Sequence, residues 1–422
     1  METNVPVRTL GCMEEYVWLL EQHSTRMALT CIEIDGVTTL SQWETALHFL
    51  QRKYANISLR VGKDHRERPF FFKSFDEGIP LRHLPLTDET DVLEECRHDM
   101  EHSFQDGSGP PLRVTLLLGK RRAVVILSAH HAFFDGIGLM NLIREMLSSF
   151  AEQSEPSPLA PAPSIDALVG IPVPEDYISR RDADEDLVSK SAEKDTSHGL
   201  SVPPKVSRIQ LSRELTKAIV ECGRLQGTTA NGILMASVLE IGRAVSERWR
   251  KKDVTCVVPV NVRSLFRQEQ AEGIIFGQKR FVFDLRQPND FWDIARACSE
   301  GVKEIRTVKG LVANLTPLHD FLAAERSVAE AVSLASAHSH DLMISNFGNF
   351  PGPTEFGSIR LRAVTPIVDS GDANAQTVMV ATTSDVMSIV LVSPNPFPDL
   401  LPNLEKQLTH VFLSNTASVQ EH

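Results

Sequence analysis

The sequence predicts an α/β protein built in two halves, and three features point there. The chain has 422 residues, more than one hydrophobic core ordinarily serves. Strand-like apolar runs and stretches with helical spacing alternate on both sides of its midpoint. Between the two sides the composition changes: "EQSEPSPLAPAPS" (152–164) is rich in Pro, Ser and Ala, and "SRRDADEDLVSKSAEKDTSHG" (179–199) is polar and charged. Such segments bury too little apolar surface to build a core, so they read as a linker whose second part is disordered. The expected division is a first half over 1–163, a linker or crossover over 164–204, and a second half over 205–422.

In the first half, "EYVWLLEQH" has helical spacing, "MALTCIEID" reads as a strand, and "LSQWETALHFLQRKY" and "DVLEECRHDMEHSF" read as helices. The run "PPLRVTLLLGKRRAVVILSAHH" is a hairpin, with strands near 112–118 and 122–129 and its tip at 119–122. A helix opens at Asp135, with Ile137, Met140, Leu142, Ile143, Met146, Leu147 and Phe150 on its apolar side. The second half restarts with strand "VSRIQLS", helix "RELTKAIVECGRLQG", helix "TTANGILMASVLEIGRAVSERW" and strand "VTCVVPVNV". "RFVFDL", "DLMISNF", "IRLRAVTPIV", "TVMVATTS" and "MSIVLVSP" follow as strands, with helices over 290–306 and 399–413. Segments 164–205 and 308–340 carry no readable pattern, and no short-period repeat is present.

Composition excludes several classes. No stretch approaches the 18 or so apolar residues of a membrane span. The N-terminus has acidic residues within its apolar part and no small-residue cleavage site, so it does not read as a secretory signal. A net charge of −12, from 43 Lys+Arg against 55 Asp+Glu, argues against nucleic acid as partner. The densest basic spot, "GKRR" (119–122), is the hairpin tip. Cys12, Cys31, Cys96, Cys222, Cys256 and Cys298 are far apart, which suits reduced thiols in a cytoplasmic protein rather than a disulfide framework.

The chemistry gathers at "SAHHAFFDG" (128–136). Histidine is the side chain most ready to exchange a proton near neutral pH, and a strand end pins its backbone while its ring projects. Asp135 could orient His131 or anchor the loop; Gly136 lets the backbone turn and lets a substrate approach.

"HHAFFDG" matches the His-His-x-x-x-Asp-Gly motif of the chloramphenicol acetyltransferase-like superfamily, which includes condensation domains of peptide synthetases, polyketide-associated acyltransferases and alcohol acetyltransferases. "MEHSFQDGSGPPLRVTLL" (100–117), "GTTANGILMASV" (227–238), "VVPVNVRSLF" (257–266) and "ISNFGNF" (344–350) resemble further landmarks of that group, in its order. The plant branch's Asp-Phe-Gly-Trp-Gly is absent; "NFGNFPG" is the nearest phrase. The resemblance implies two α/β halves forming a V-shaped pseudo-dimer with a tunnel between them. It implies His131 as general base, His130 as support, Gly136 N–H as a donor to the oxyanion, and Asp135 turned away to pair with Arg263. Ser345, Asn346 and Gly348 would line the tunnel, as would Phe133 and Phe134 unless they simply pack, and the pocket linings would come partly from 164–205 and 308–340. The implied activity is acyl transfer from a thioester to a hydroxyl or amine of a small-molecule acceptor, in specialised-metabolite or lipid biosynthesis. Coenzyme A or a phosphopantetheine on a separate acyl-carrier protein would carry the donor to a freestanding monomer with no permanently bound cofactor. The alternative keeps the fold for cyclisation, dehydration or carrier binding without acyl transfer.

Two other histidine pairs invite a metal reading. "HDMEH" (98–102) formally fits a zinc peptidase pattern, but Val92, Leu93, Cys96 and Met100 form the apolar stripe, and both histidines fall away from it. "HSHD" (338–341) has no further ligand nearby in sequence. No metal is expected. "DGIGLMN" lacks the later Gly and the Lys-Ser/Thr of a phosphate loop.

Overall fold

The structure is a computed structural model that describes residues 5–63, 68–74, 78–104, 107, 109–151, 155–172, 203–324 and 326–413. The strands are β1 (Val5–Thr9), β2 (Met27–Asp35), β3 (Leu59–Lys63), β4 (Pro69–Lys73), β5 (Leu81–Pro85), β6 (Leu112–Leu118), β7 (Arg122–His130), β8 (Lys205–Gln210), β9 (Asp253–Asn261), β10 (Phe276–Asp284), β11 (Leu342–Asn349), β12 (Glu355–Phe356), β13 (Ile359–Val368), β14 (Gln376–Thr383) and β15 (Val386–Ser393). The helices are α1 (Cys12–Glu21), α2 (Leu40–Lys53), α3 (Val92–Met100), α4 (Gly136–Ser148), α5 (Ile165–Val169), α6 (Arg213–Leu225), α7 (Ala230–Val245), α8 (Glu247–Lys251), α9 (Phe291–Gly301), α10 (Val308–Leu322), α11 (Val328–Ala337) and α12 (Leu400–Phe412).

Two six-stranded mixed sheets organise them. The first has the order β12-β13-β2-β7-β6-β5, the second β10-β9-β11-β14-β15-β8. A small third sheet, β1-β4-β3, sits with the first half. β2 and β7 read as near-continuous apolar runs because they are central strands buried on both faces. α7 is apolar nearly all round because it too is buried, from Gly232 to Leu239 without a break.

The two halves exchange chain. β12 and β13 come from the second half in sequence, yet β13 pairs antiparallel with β2 along Arg360↔Asp35 to Val368↔Ala28. The chain then crosses back through residues 369–375 to β14 in the second sheet. Arg208 of β8 reinforces the crossing by donating to Glu33 of β2 at 2.6 Å and to Thr365 of β13 at 2.7 Å. One hydrophobic cluster contains both Trp43 of the first half and Trp249 of the second.

Elsewhere the structure departs from the sequence reading. The helix expected over 228–249 breaks at Ser246, whose hydroxyl caps the next turn by accepting from Trp249 N–H. The Trp249 ring then folds back onto Gly242, where a Cβ would lie 2.1 Å from it. Segment 308–340, patternless in sequence, forms α10 and α11, which pack on α1 of the first half. α10 carries Pro317 within its length, and α11 is built from small residues with Ala331 its one buried position, so neither announces itself as a helix in sequence. β1, β3, β4 and β5 are too short to stand out. Segment 179–199, expected to be disordered, lies outside the described residues.

Because the halves share a sheet and a core, denaturant unfolding is expected as a single transition. Single-tryptophan variants that keep Trp43 or Trp249 should report the same midpoint by fluorescence. Two separate midpoints would show halves that unfold on their own.

Candidate active site

β7 is buried from Ala123 to His130 and runs antiparallel between β2 and β6, so both its edges are fixed. The chain leaves it at His130 and enters α4 at Gly136, and the turn between them holds His131 and Asp135.

The adjacent histidines differ in which nitrogen the backbone engages. Ala132 N–H donates to Nδ1 of fully buried His130 at 3.2 Å, so the proton of the neutral ring sits on Nε2. Among the described residues Nε2 has no acceptor. Burial, with His131 beside it, pushes the His130 pKa down to about 3, so the ring stays neutral. His131 is only half-buried, and its Nδ1 lies 2.8 Å from the carbonyl oxygen of Phe134. A carbonyl can only accept, so Nδ1 donates and Nε2 keeps the lone pair. Burial holds the His131 pKa below the ordinary imidazole value, against the pull of the Phe134 bond and the Asp135 charge, and Arg26 adds to the lowering. The Phe276 ring lies alongside at 6.3 Å.

Asp135 does not orient His131; it ties the halves together. Its Oδ1 accepts from Gly138 N–H at 2.8 Å, capping α4, and from Arg263 Nη2 at 2.7 Å. Its Oδ2 accepts from Arg263 Nη1 at 2.9 Å and from Ile275 N–H at 3.0 Å. Arg263 also donates to the carbonyls of Ala271 and Gly273, at 3.0 and 2.7 Å. Both side chains are almost fully buried, and between them these bonds occupy both carboxylate oxygens and all three guanidinium nitrogens.

Sequence reasoning left Gly136 open for a substrate. Instead its side-chain space is filled by Phe347, whose ring would lie 2.1 Å from a Cβ there. A bulge in β11 aims that ring: pairing with β14 slips between Asn346 and Asn349, Gly348 takes φ +73°, and its N–H donates to Asn346 Oδ1. Of the expected tunnel residues, Ser345 is buried, Asn346 half-buried and Gly348 exposed. Phe133 and Phe134 belong to the hydrophobic core: Phe133 packs on Phe71 at 4.8 Å and on His130 at 5.2 Å. Sequence reasoning also missed Phe276 and Arg26. Arg26 was legible through register, since the Met27↔His130 pairing places it across from His131.

The other histidines stand apart. His98 and His102 are exposed and meet ring to ring at 4.7 Å; His340 Nδ1 lies 3.0 Å from Asp372. Among the described residues no group of three His, Cys, Asp or Glu could hold a metal. A groove lined by Glu33, Asp88, Arg122 and Arg362 sits at the far end of β7, about 26 Å of strand from His130, and belongs to a different surface.

Comparison with known proteins bears on the fold. Residues 200–394 match the family described as phthiocerol/phthiodiolone dimycocerosyl transferase C-terminus. Polyketide synthase associated protein 5 from Mycobacterium tuberculosis superposes with a TM-score of 0.68 at 16% identity, covering 98% of this chain and 100% of that one. The first condensation domain of the calcium-dependent antibiotic synthetase gives 0.64 at 17% identity, covering 97% of each. This chain has the fold of the chloramphenicol acetyltransferase-like condensation superfamily. A trichothecene 15-O-acetyltransferase from Fusarium sporotrichioides shares that condensation fold, with a TM-score of 0.66 at 10% identity over 96% of this chain and 94% of its own. By sequence, 128 residues are 26% identical to polyketide synthase-nonribosomal peptide synthetase ffsA of Aspergillus flavipes, covering 30% of this chain but 3% of that protein. No helix among the described residues is long and apolar enough to cross a membrane.

Two outcomes follow for this turn. Asp135→Ala strands a buried guanidinium, and denaturant unfolding should show a loss of about 3–5 kcal/mol. A loss below about 1 kcal/mol would mean the pair is dispensable. Gly136→Ala should cost about 1–3 kcal/mol through collision with Phe347, and Phe347→Leu should restore much of it in the double variant. Independent, additive effects would contradict the contact.

Proposed function

We propose that the chain is an acyltransferase that moves an acyl group from a thioester, on coenzyme A or an acyl-carrier protein, to a hydroxyl or amine, with His131 as general base. The observation that carries this reading is the Phe134 carbonyl on His131 Nδ1, which leaves Nε2 unprotonated on a half-buried ring. The low proton affinity of that ring keeps it in the base form at neutral pH.

In the proposed reaction the acceptor's O–H or N–H donates to Nε2. Its oxygen or nitrogen attacks the thioester carbonyl as the proton passes to Nε2, giving a tetrahedral oxyanion. The Gly136 N–H, at the positive end of a 13-residue helix, is the donor for that charge, since the Gly138 N–H is already taken by Asp135. Collapse expels the thiolate, which takes the proton back from Nε2. The imidazolium in between is supported by Phe134 O on the opposite nitrogen, and Asp135 acts on the step by holding the loop.

Thiol release from acyl-coenzyme A or acyl-carrier thioesters, with alcohols and amines as acceptors, tests this. Release should require acceptor and should fall by at least about a thousandfold in His131→Ala with the fold intact, which is general-base loss plus loss of positioning. Release that persists in that variant refutes the base assignment. The pH dependence has a fixed sign. The base form is the active one and its pKa is lowered, so the acid limb of kcat/KM should fall below the ordinary histidine range. A limb above that range contradicts a buried neutral base.

A further inference from the structure

Arg26 precedes β2, directly across from His131. The register Met27↔His130 continues outward, and His131 N–H donates to the Arg26 carbonyl at 3.2 Å. The guanidinium reaches over the crossover between β13 and β14, where it lies so close to Gly371 that no side chain could stand there.

Among the described residues, Nε and Nη1 of Arg26 are buried with no hydrogen-bond acceptor. Several carboxylates surround it, but each is engaged elsewhere. Glu21 accepts from Ser103 Oγ and from the backbone N–H groups of Phe104 and Arg26. Asp369 accepts from Gly371 N–H, and Asp372 faces His340. Burial also raises the Glu21 pKa to about 7 and lifts that of Asp369, while Asp372, bonded to His340 and drawn by the Arg26 charge, is held below the ordinary carboxylate range. Arg26 is half-buried as a residue, but buried donors left unclaimed are costly until an anionic oxygen fills them, and the guanidinium charge is felt at the His131 ring.

We propose that Arg26 forms a subsite for a carboxylate on the acyl acceptor, next to Nε2 of His131. This rests on the acyl-transfer reading of the site and names the class of acceptor: a hydroxy acid or amino acid in preference to a simple alcohol or amine. Binding is bidirectional information here. The carboxylate satisfies the guanidinium, and the guanidinium turns the acceptor's nucleophile toward the base.

Calorimetric binding to the full chain, with matched acids and amides as probes (phenylalanine against phenylalaninamide, lactate against lactamide), tests it without turnover. Wild type should bind the acids at least about tenfold more tightly than the amides, the size of one charged hydrogen bond. Arg26→Gln should abolish that preference, and so should Arg26→Met, which keeps the stem. His131→Ala should retain it. No preference in wild type, including no binding of either probe, overturns the proposal, as does a preference that survives in a folded Arg26 variant. Failure of acyl transfer is told apart because it appears as missing thiol release in a protein that still prefers the acid.

Discussion

The site depends on one ion pair. Asp135 and Arg263 stand 128 residues apart in sequence, on different halves, and neither charge could remain buried without the other. Their geometry does more than cancel charge. Asp135 caps α4 and so fixes where that helix begins; it also holds Ile275 N–H, and the next residue, Phe276, opens β10 beside the His131 ring. Arg263 gathers the carbonyls of Ala271 and Gly273, which closes the loop whose Glu272 carbonyl touches Gly138. The histidine turn is thus fixed from its far side, by contacts that never reach His131 Nε2.

Around that pin the second half supplies three more pieces of the site, each through a break in regular structure. The bulge in β11 sends Phe347 against Gly136. The start of β10 sends Phe276 along His131. The crossover after β13 lays Gly371 against Arg26. Strand exchange explains why these meet: once β13 joins the first sheet, the chain must return across the junction to reach β14, and the junction is where β2 begins and β7 ends.

What the sequence revealed and what it hid divide along the same line. Strands such as β2 and β13 were read with their observed ends, because buried apolar runs with polar flanks announce themselves locally. The histidine turn and Arg263 were legible as motif residues. Phe347 was not, because nothing local distinguishes a phenylalanine aimed by a bulge from one in a core. For the same reason Phe133 and Phe134, inside the motif, were read as possible tunnel lining and proved to be packing. The membership of β12 and β13 in the first sheet was hidden because pairing partners are set by topology, which a local pattern does not encode. α10 and α11 were hidden by Pro317 and by small residues that leave the helical period faint.

The two adjacent histidines then have separate reasons to exist. A ring whose Nδ1 accepts from a backbone N–H and whose Nε2 carries the proton has no free lone pair, and burial holds its pKa near 3; His130 cannot serve as a base. It fills space between Phe104 and Phe133 and ends β7 with a polar ring that the core tolerates only in its neutral form. His131, one residue on, has left the strand, and the turn brings the Phe134 carbonyl to its Nδ1 in place of an N–H. That single exchange of backbone partner, donor for acceptor, moves the lone pair to Nε2. One histidine is thereby fixed as packing, and the other is left with an unprotonated Nε2, as the proposed base requires; reversing either backbone contact would reverse the tautomers.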